Sequence, residues 1–284
     1  MGCPLTKYRE EVIGGQRLIC GDCRDYLLTV DDEALDAIIT DPPWTTTDFA
    51  FENDDAVRAI GLFKRVLHRN GNLVVVGSLP ILAAFMPSFQ YRWTGIWLKP
   101  NGTPRFHNSH KPPSKTELIG VFCQQGAKAT ATTYNRCVRT GEPWKKVYRN
   151  TGFKREQEDS MDRCGTSNWT EDGFVGVNEG TRAFTDVFEG CSKPYMPKSE
   201  RTEHPTQKPV NVLCDLLSML TNEGQTVCDP FMGSGTALVA AELMGRRGIG
   251  VELDPKFFDI ACRRVEEAVR QAEQSEAQLT LETA

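Results

Sequence analysis

Gln225–Thr236 reads QTVCDPFMGSGT. Its first four residues suit a short buried strand, and Asp229-Pro230 ends that run. Helical spacing follows over Ala237–Met244 and stops at Gly245. Arg247–Val251 (RGIGV) is a second strand, ending at Glu252. Asp254 then caps, and Pro255 opens, a last helix with Phe258, Ala261, Val265 and Ala268 along one face. Strand, glycine turn, helix, strand is a βαβ unit, which needs a parallel sheet.

Outward from this unit the same rhythm continues. Val210–Leu220 has helical register before it. In the N-terminal third, Arg17–Cys20 and Ala34–Thr40 read as strands, ending at Gly21-Asp22 and at Asp41-Pro42. Asp55–Arg69 reads as a helix with Gly71 just past its end, and Leu73–Gly77 as a buried strand. Trp93–Leu98 and Glu117–Cys123 read as two further strands joined by a basic loop. The predicted fold is α/β, a doubly wound, mostly parallel sheet covered on both faces. Residues 124–203 break the rhythm and read as a loop-rich insert, so the expected division is 1–123, 124–203 and 204–270. The polar stretch 271–284 is expected to fray.

Composition narrows the class. The chain has 284 residues, 39% hydrophobic and 25% charged, enough to bury a core and unlike a disordered tail. Apolar runs such as Leu73–Gly77 are far too short to span a bilayer. The N-terminal MGCPLTK has no apolar signal region, and ten cysteines in a chain of this size fit reduced thiols, so a cytoplasmic protein is expected. The net charge of −5 hides an uneven distribution. Residues 92–155 hold 13 Lys/Arg against only Glu117 and Glu142, while the flanking stretches are acidic. Such a block suits a polyanion, and it also suits a solvated face.

Two turns carry chemistry at strand ends, where open α/β sheets bind ligands. In DPFMGSGT, Gly233 and Gly235 let main chain approach a ligand, and the next helix offers free N–H groups. A G-x-G alone also suits an ordinary tight turn. Glu252 adds a carboxylate 17 residues beyond Gly235, placed to accept ribose hydroxyls. No P-loop motif is present, and Leu238 stands where a dinucleotide fingerprint needs its third glycine. The second turn is Asp41-Pro42-Pro43-Trp44. The prolines fix the direction of the Pro42 carbonyl, Asp41 gives a carboxylate, and Trp44 gives a flat ring. Two acceptors can take both hydrogens of a planar –NH2 group while its ring stacks on Trp44. No metal is needed for this. Cys20-x-x-Cys23 lacks a second pair, and Cys137, Cys164 and Cys191 fit incidental thiols better than a metal site.

With HPTQKP at 204–209 between them, DPPW and DPFMGSGT make the chain resemble the S-adenosylmethionine-dependent amino-methyltransferases of DNA. The catalytic motif comes first and the cofactor loop late, the order of the circularly permuted beta group. The resemblance covers about residues 16–123 and 204–270. It implies that Asp41 and Pro42, with Pro43, hold the amino group and that Trp44 stacks on a flipped base. It implies a cofactor cradle of Pro230, Phe231, Gly233, Ser234, Gly235 and Thr236, with Asp229 near the methionine amino group and Glu252 on the ribose. Asp22 and Cys23 would meet the adenine edge, and Thr206, Gln207 and Lys208 would close over the methionine end. Met232 departs from the small residue usual there, with packing the expected consequence.

An initial Asp implies adenine N6 as the target, where Ser-Pro-Pro would imply cytosine N4. A cytosine, RNA adenine or protein glutamine target stays open as an alternative. A flipped base gives the basic block its task, holding phosphates of double-stranded DNA. The candidates are Lys99, Arg105, Lys111 and Lys115, then Arg136 and Arg139, then Lys145, Lys146, Arg149, Lys154 and Arg155. A monomer or homodimer is expected, and a partner restriction endonuclease is compatible with the sequence but not readable from it.

Overall fold

The computed structural model describes residues 8–42, 54–100, 114–128, 130–140, 144–149, 169–170, 173–178, 181–191 and 193–283. The chain forms two compact units, Met1–Asn135 with Asp186–Ala284, and Arg136–Thr185. Among the described residues, nine strands of the first unit make one sheet. Along the chain they are β1 (Arg9–Ile13), β2 (Gln16–Cys20), β3 (Leu35–Thr40), β4 (Leu67–Gly77), β5 (Phe89–Leu98) and β6 (Thr116–Gln124). After the second unit's β7 (Val138–Thr140), β8 (Trp144–Arg149), β9 (Trp169–Thr170), β10 (Gly173–Asn178) and β11 (Thr181–Ala183) come β12 (Val187–Glu189), β13 (Thr226–Asp229) and β14 (Arg247–Glu252). The sheet order is β1-β2-β14-β13-β3-β4-β6-β5-β12.

The five strands from β2 through β14, β13 and β3 to β4 run parallel. They are apolar on both faces because helices cover both, as a parallel sheet requires. Helices α1 (Cys23–Leu27), α2 (Asp54–Val66) and α3 (Leu79–Phe85) make one group. There Ile19, Ile38, Leu73, Val75, Ile249 and Val251 meet Phe63 and Phe85 in the main core. Helices α4 (Val210–Leu220), α5 (Thr236–Leu243) and α6 (Pro255–Thr283) make the other group, with α5 packed between α4 and α6. The wedge of β14 and β13 between β2 and β3 is the permuted order: the strand after the glycine loop lies beside a strand near the start of the chain. Gly21 donates its N–H to the Glu252 carbonyl at 2.9 Å, locking the ends of β2 and β14 together.

Several elements depart from expectation. β1 forms a hairpin with β2 and covers that edge. α2 ends at Val66, and β4 begins at Leu67, because Leu67 is buried against Leu35 across the sheet. α3 is short and follows Ser78 with Pro80 in its first turn. The second unit spans Arg136–Thr185 rather than 124–203, and β12 belongs to the main sheet through parallel pairing with β5. In that unit β8 and β9 flank β10, and β7 pairs β11, all antiparallel. The stretch expected to fray continues α6 to Thr283. Its Ala, Glu and Gln content favours helix. Among the described residues, no helix is long and apolar enough to cross a membrane.

Candidate active site

Three carboxylates stand at the C-terminal ends of the adjacent strands β13, β14 and β2. Asp229 ends β13, is 8% exposed, and accepts the Phe231 N–H at 3.1 Å. Burial drives its carboxyl up to about 7, and the negative charges of Asp41 and Glu252 add to the rise. Glu252 ends β14 and accepts the N–H of Gly233 at 2.9 Å and of Asp254 at 2.8 Å. Burial raises its carboxyl as well, against those two hydrogen bonds. A carboxylate has about four lone-pair sites, so two N–H groups leave acceptor capacity for hydroxyls. Asp22 follows β2, caps α1 through the Arg24 N–H at 2.8 Å, and pairs with the Arg24 guanidinium.

The DPFMGSGT loop is braced from both sides. Gly233 (φ +51°) and Gly235 (φ +75°) hold left-handed backbone, which favours glycine. A Cβ on Gly233 would also meet the His204 ring at 2.8 Å, and one on Gly235 would meet Ala261 of α6 at 2.8 Å. The His204 ring packs edge-on to Phe257, at 4.4 Å between centroids. Burial, with Lys208, Lys193 and Arg264 nearby, holds its pKa down at about 4, so the ring is neutral. Arg264, which the sequence reading did not single out, reaches up from α6. It donates to the Ser234 carbonyl at 2.7 Å and to the Thr236 hydroxyl at 2.9 Å. Burial lowers its pKa to about 10. Met232 is buried against Gly250 of β14, where any Cβ would collide with its sulfur. The larger residue in the loop is matched by the absence of a side chain beneath it.

Asp41 leaves the end of β3, next to β13 in the sheet. Its carboxylate is bonded by the Lys208 ammonium. Lys208 also lies 3.8 Å from Glu117, whose other oxygen is bonded by Lys99. Lys208 is little exposed: burial works against its charge, but Asp41, Glu117 and Asp229 outweigh that, and its pKa is raised. The hydroxyl of Thr236 donates to the Lys208 carbonyl at 3.2 Å, tying the HPTQKP segment to the cofactor loop. Pro42 is buried. Pro43 and Trp44 lie outside the described residues.

The remaining candidates divide. Pro230, Ser234 and Thr236 are buried within the loop, while Phe231 packs edge-on to Phe63. Thr206 is exposed. Gln207 is 3% exposed, and its amide is spent inside its own segment, accepting from Thr202 and donating to the Glu200 carbonyl at 2.7 Å. Cys23 is buried in the core, and burial pushes its thiol up to about 12. Lys99, grouped by sequence with the phosphate-facing cations, is 8% exposed and joined to Glu117 instead. Lys115 and Arg136 are exposed. Arg139 lies on β7, and Lys145, Lys146 and Arg149 on β8. Arg105, Lys111, Lys154 and Arg155 lie outside the described residues, as does Cys164. No cluster that could hold a metal ion occurs among the described residues.

A parallel sheet with a glycine loop and a row of carboxylates at its strand ends defines a Rossmann-like methyltransferase fold. The DNA methylase family of N6/N4 methyltransferases matches residues 35–263, and the chain belongs to it. Its cofactor is S-adenosylmethionine. Type II methyltransferase M2.DpnII of Streptococcus pneumoniae is 24% identical over 277 residues, covering 88% of this chain and 89% of that protein. The crystal structure of an M1.HpyAVI–S-adenosylmethionine complex aligns with a TM-score of 0.54 and 21% identity, covering 88% of this chain and 99% of that one. The cytosine-N4-specific PvuII DNA methyltransferase aligns with a TM-score of 0.57 and 12% identity, covering 93% and 96%.

Proposed function

We propose that the chain methylates the exocyclic N6 of adenine in double-stranded DNA, on a nucleotide flipped out of the helix. The observation that carries this reading is Asp41 at the end of β3, one strand from the cofactor loop at the end of β13. Bound S-adenosylmethionine supplies an electrophilic methyl group on its sulfonium. The donor set suits it: Asp229 offers a buried carboxylate to an ammonium, Glu252 offers acceptor capacity to ribose hydroxyls, and Asp22 stands by the third strand end.

Asp41 and the Pro42 carbonyl accept the two amine hydrogens. Held this way, the nitrogen keeps its lone pair out of the base ring and directed at the methyl group. With the cofactor bound, the N–C bond would form as the S–C bond to the leaving thioether breaks, and Asp41, already holding one amine hydrogen, would take the proton the nitrogen loses. Trp44 stacks on the extruded base in this reading. Phosphate contacts are assigned to Lys115 and Arg136, to Arg139, Lys145, Lys146 and Arg149 on the small strands, and to Arg105, Lys111, Lys154 and Arg155. The initial Asp of the DPPW turn favours adenine, while the fold shared with a cytosine-N4 enzyme keeps cytosine as the second reading. Unmethylated duplex DNA incubated with the enzyme and S-adenosylmethionine, digested to nucleosides and weighed by mass spectrometry, separates them. N6-methyladenine is expected, and N4-methylcytosine alone would overturn the assignment.

A further inference from the structure

Asp41 is already engaged. Its carboxylate is bonded by the Lys208 ammonium, a charged donor stronger than the neutral amine the site must hold. The ammonium sits on one Asp41 oxygen, Oδ2; an amine that takes this same oxygen displaces it, and a buried cation without an anion is costly. Glu117 meets this need. β5 and β6 pair so that Glu117 stands directly across from Trp97. One Glu117 oxygen takes Lys99, and the other lies 3.8 Å from the Lys208 nitrogen. The Trp97 ring, 3% exposed and fixed by its N–H to the Gly190 carbonyl at 2.9 Å, lies under both ammonium groups, at 5.1 Å for Lys99 and 5.8 Å for Lys208. The four charges alternate from Lys99 through Glu117 and Lys208 to Asp41 and cancel as a set.

We propose that Glu117 is a positioning residue of the transfer step: it receives the Lys208 ammonium when the target amine takes that ammonium's place on Asp41. Lys99 fixes Glu117 and balances its charge, so the lysine moves between two anions without crossing an uncompensated state. Its flexible four-carbon stem permits the swing. The inference rests on Asp41 as the acceptor of the amine.

The test is single-turnover methyl transfer to unmethylated phage duplex DNA, run from neutral to alkaline pH, with cofactor affinity measured by calorimetry. In Glu117→Gln the displaced ammonium has no anion to move to. The transfer rate should fall by about tenfold or more at neutral pH, with cofactor affinity kept. It should then climb with pH, because a neutral Lys208 no longer competes for Asp41, and this alkaline limb should be absent in the wild type. A wild-type rate, or a loss that stays constant with pH in a folded, cofactor-binding variant, overturns the proposal. If the Gln variant does not fold, Glu117→Asp decides: its carboxylate is drawn back by one methylene, so a slower transfer with intact cofactor binding supports the proposal, and a wild-type rate overturns it. Asp41→Ala separates the two levels, since substantial transfer in that variant removes the underlying reading whatever Glu117 does.

Discussion

The two sides of the candidate site hold their carboxylates by different means. On the side of the glycine loop, Asp229 accepts the Phe231 N–H, Glu252 accepts the N–H groups of Gly233 and Asp254, and Asp22 accepts the Arg24 N–H beside its pair with the Arg24 guanidinium. On the amine side, Asp41 and Glu117 are bonded by the side chains of Lys208 and Lys99. Main-chain donors are fixed by the fold, so the cofactor side is set before any ligand arrives. Lysine donors sit on flexible stems and can be exchanged.

Substitutions on the two sides should therefore separate binding from transfer. The largest effect is expected for Asp41→Ala, with transfer falling by about 10²–10³-fold, as for loss of a preorganised polar contact to a reacting group. Its cofactor dissociation constant should stay within about threefold of wild type by calorimetry, and a comparable loss of cofactor affinity would erase the distinction. Glu252→Ala should do the reverse. Losing hydrogen bonds to a charged acceptor, worth about 1.5–3 kcal/mol, weakens cofactor binding by roughly tenfold to a hundredfold. An unchanged constant would remove Glu252 from the ribose.

Acidity sharpens the contrast. Burial places the Asp229 carboxyl near pH 7, so it is protonated in mildly acidic solution and ionised above. If the ionised form receives the methionine ammonium, cofactor affinity should rise about tenfold between about pH 6 and pH 8, following the ionised fraction. Asp229→Asn should flatten that rise. The same raised value makes the folded state bind its proton more tightly than the unfolded chain does. The stability this gives is complete below about pH 4 and is lost as pH rises through about 7. Thermal melts of the ligand-free Asn variant should therefore lose less stability than wild type across that window.

The smallest effect is a control outside both sides. Changing Lys145, Lys146 and Arg149 together to Gln should reduce the salt dependence of DNA binding by up to about 2.7 in log–log slope, roughly sixfold per doubling of salt. A change nearer 1.8 would mean that two of the three residues make the contacts. Filter binding at several salt concentrations reads this directly. A coincident slope would send the search for phosphate contacts to Lys115 and Arg136.

The cofactor side was the more legible in sequence, for the same physical reason that makes it rigid. Asp229 and Glu252 each end a strand and accept an N–H from two residues further on, Phe231 and Asp254, so strand, turn and carboxylate read as a local pattern. The central strands announced themselves through apolar runs buried on both faces. Glu117 gave no such signal, standing in the sequence as one of two acids in a basic stretch. Its partnership with Lys99 depends on the β5–β6 register, and its approach to Lys208 depends on a segment nearly a hundred residues away. The same non-local pairing turned Lys99 from a surface cation into a buried one. β1 escaped because REEVI is polar at a sheet edge. β4 began early because Leu67 pairs with a residue that follows a different turn.

The insertion of β13 and β14 between β2 and β3 also has a consequence for biosynthesis. A ribosome delivers β2 and β3 early, as strands destined for opposite sides of a gap. What fills the gap emerges only with residues 226–252, on the order of ten to forty seconds later at roughly 5–20 residues per second. Through that interval the nascent chain carries two strands whose shared neighbours do not yet exist, and no cofactor loop. The stretch that carries Asp41 is therefore made before the stretch that carries the glycine loop, and the candidate site is incomplete until residues 226–252 have emerged.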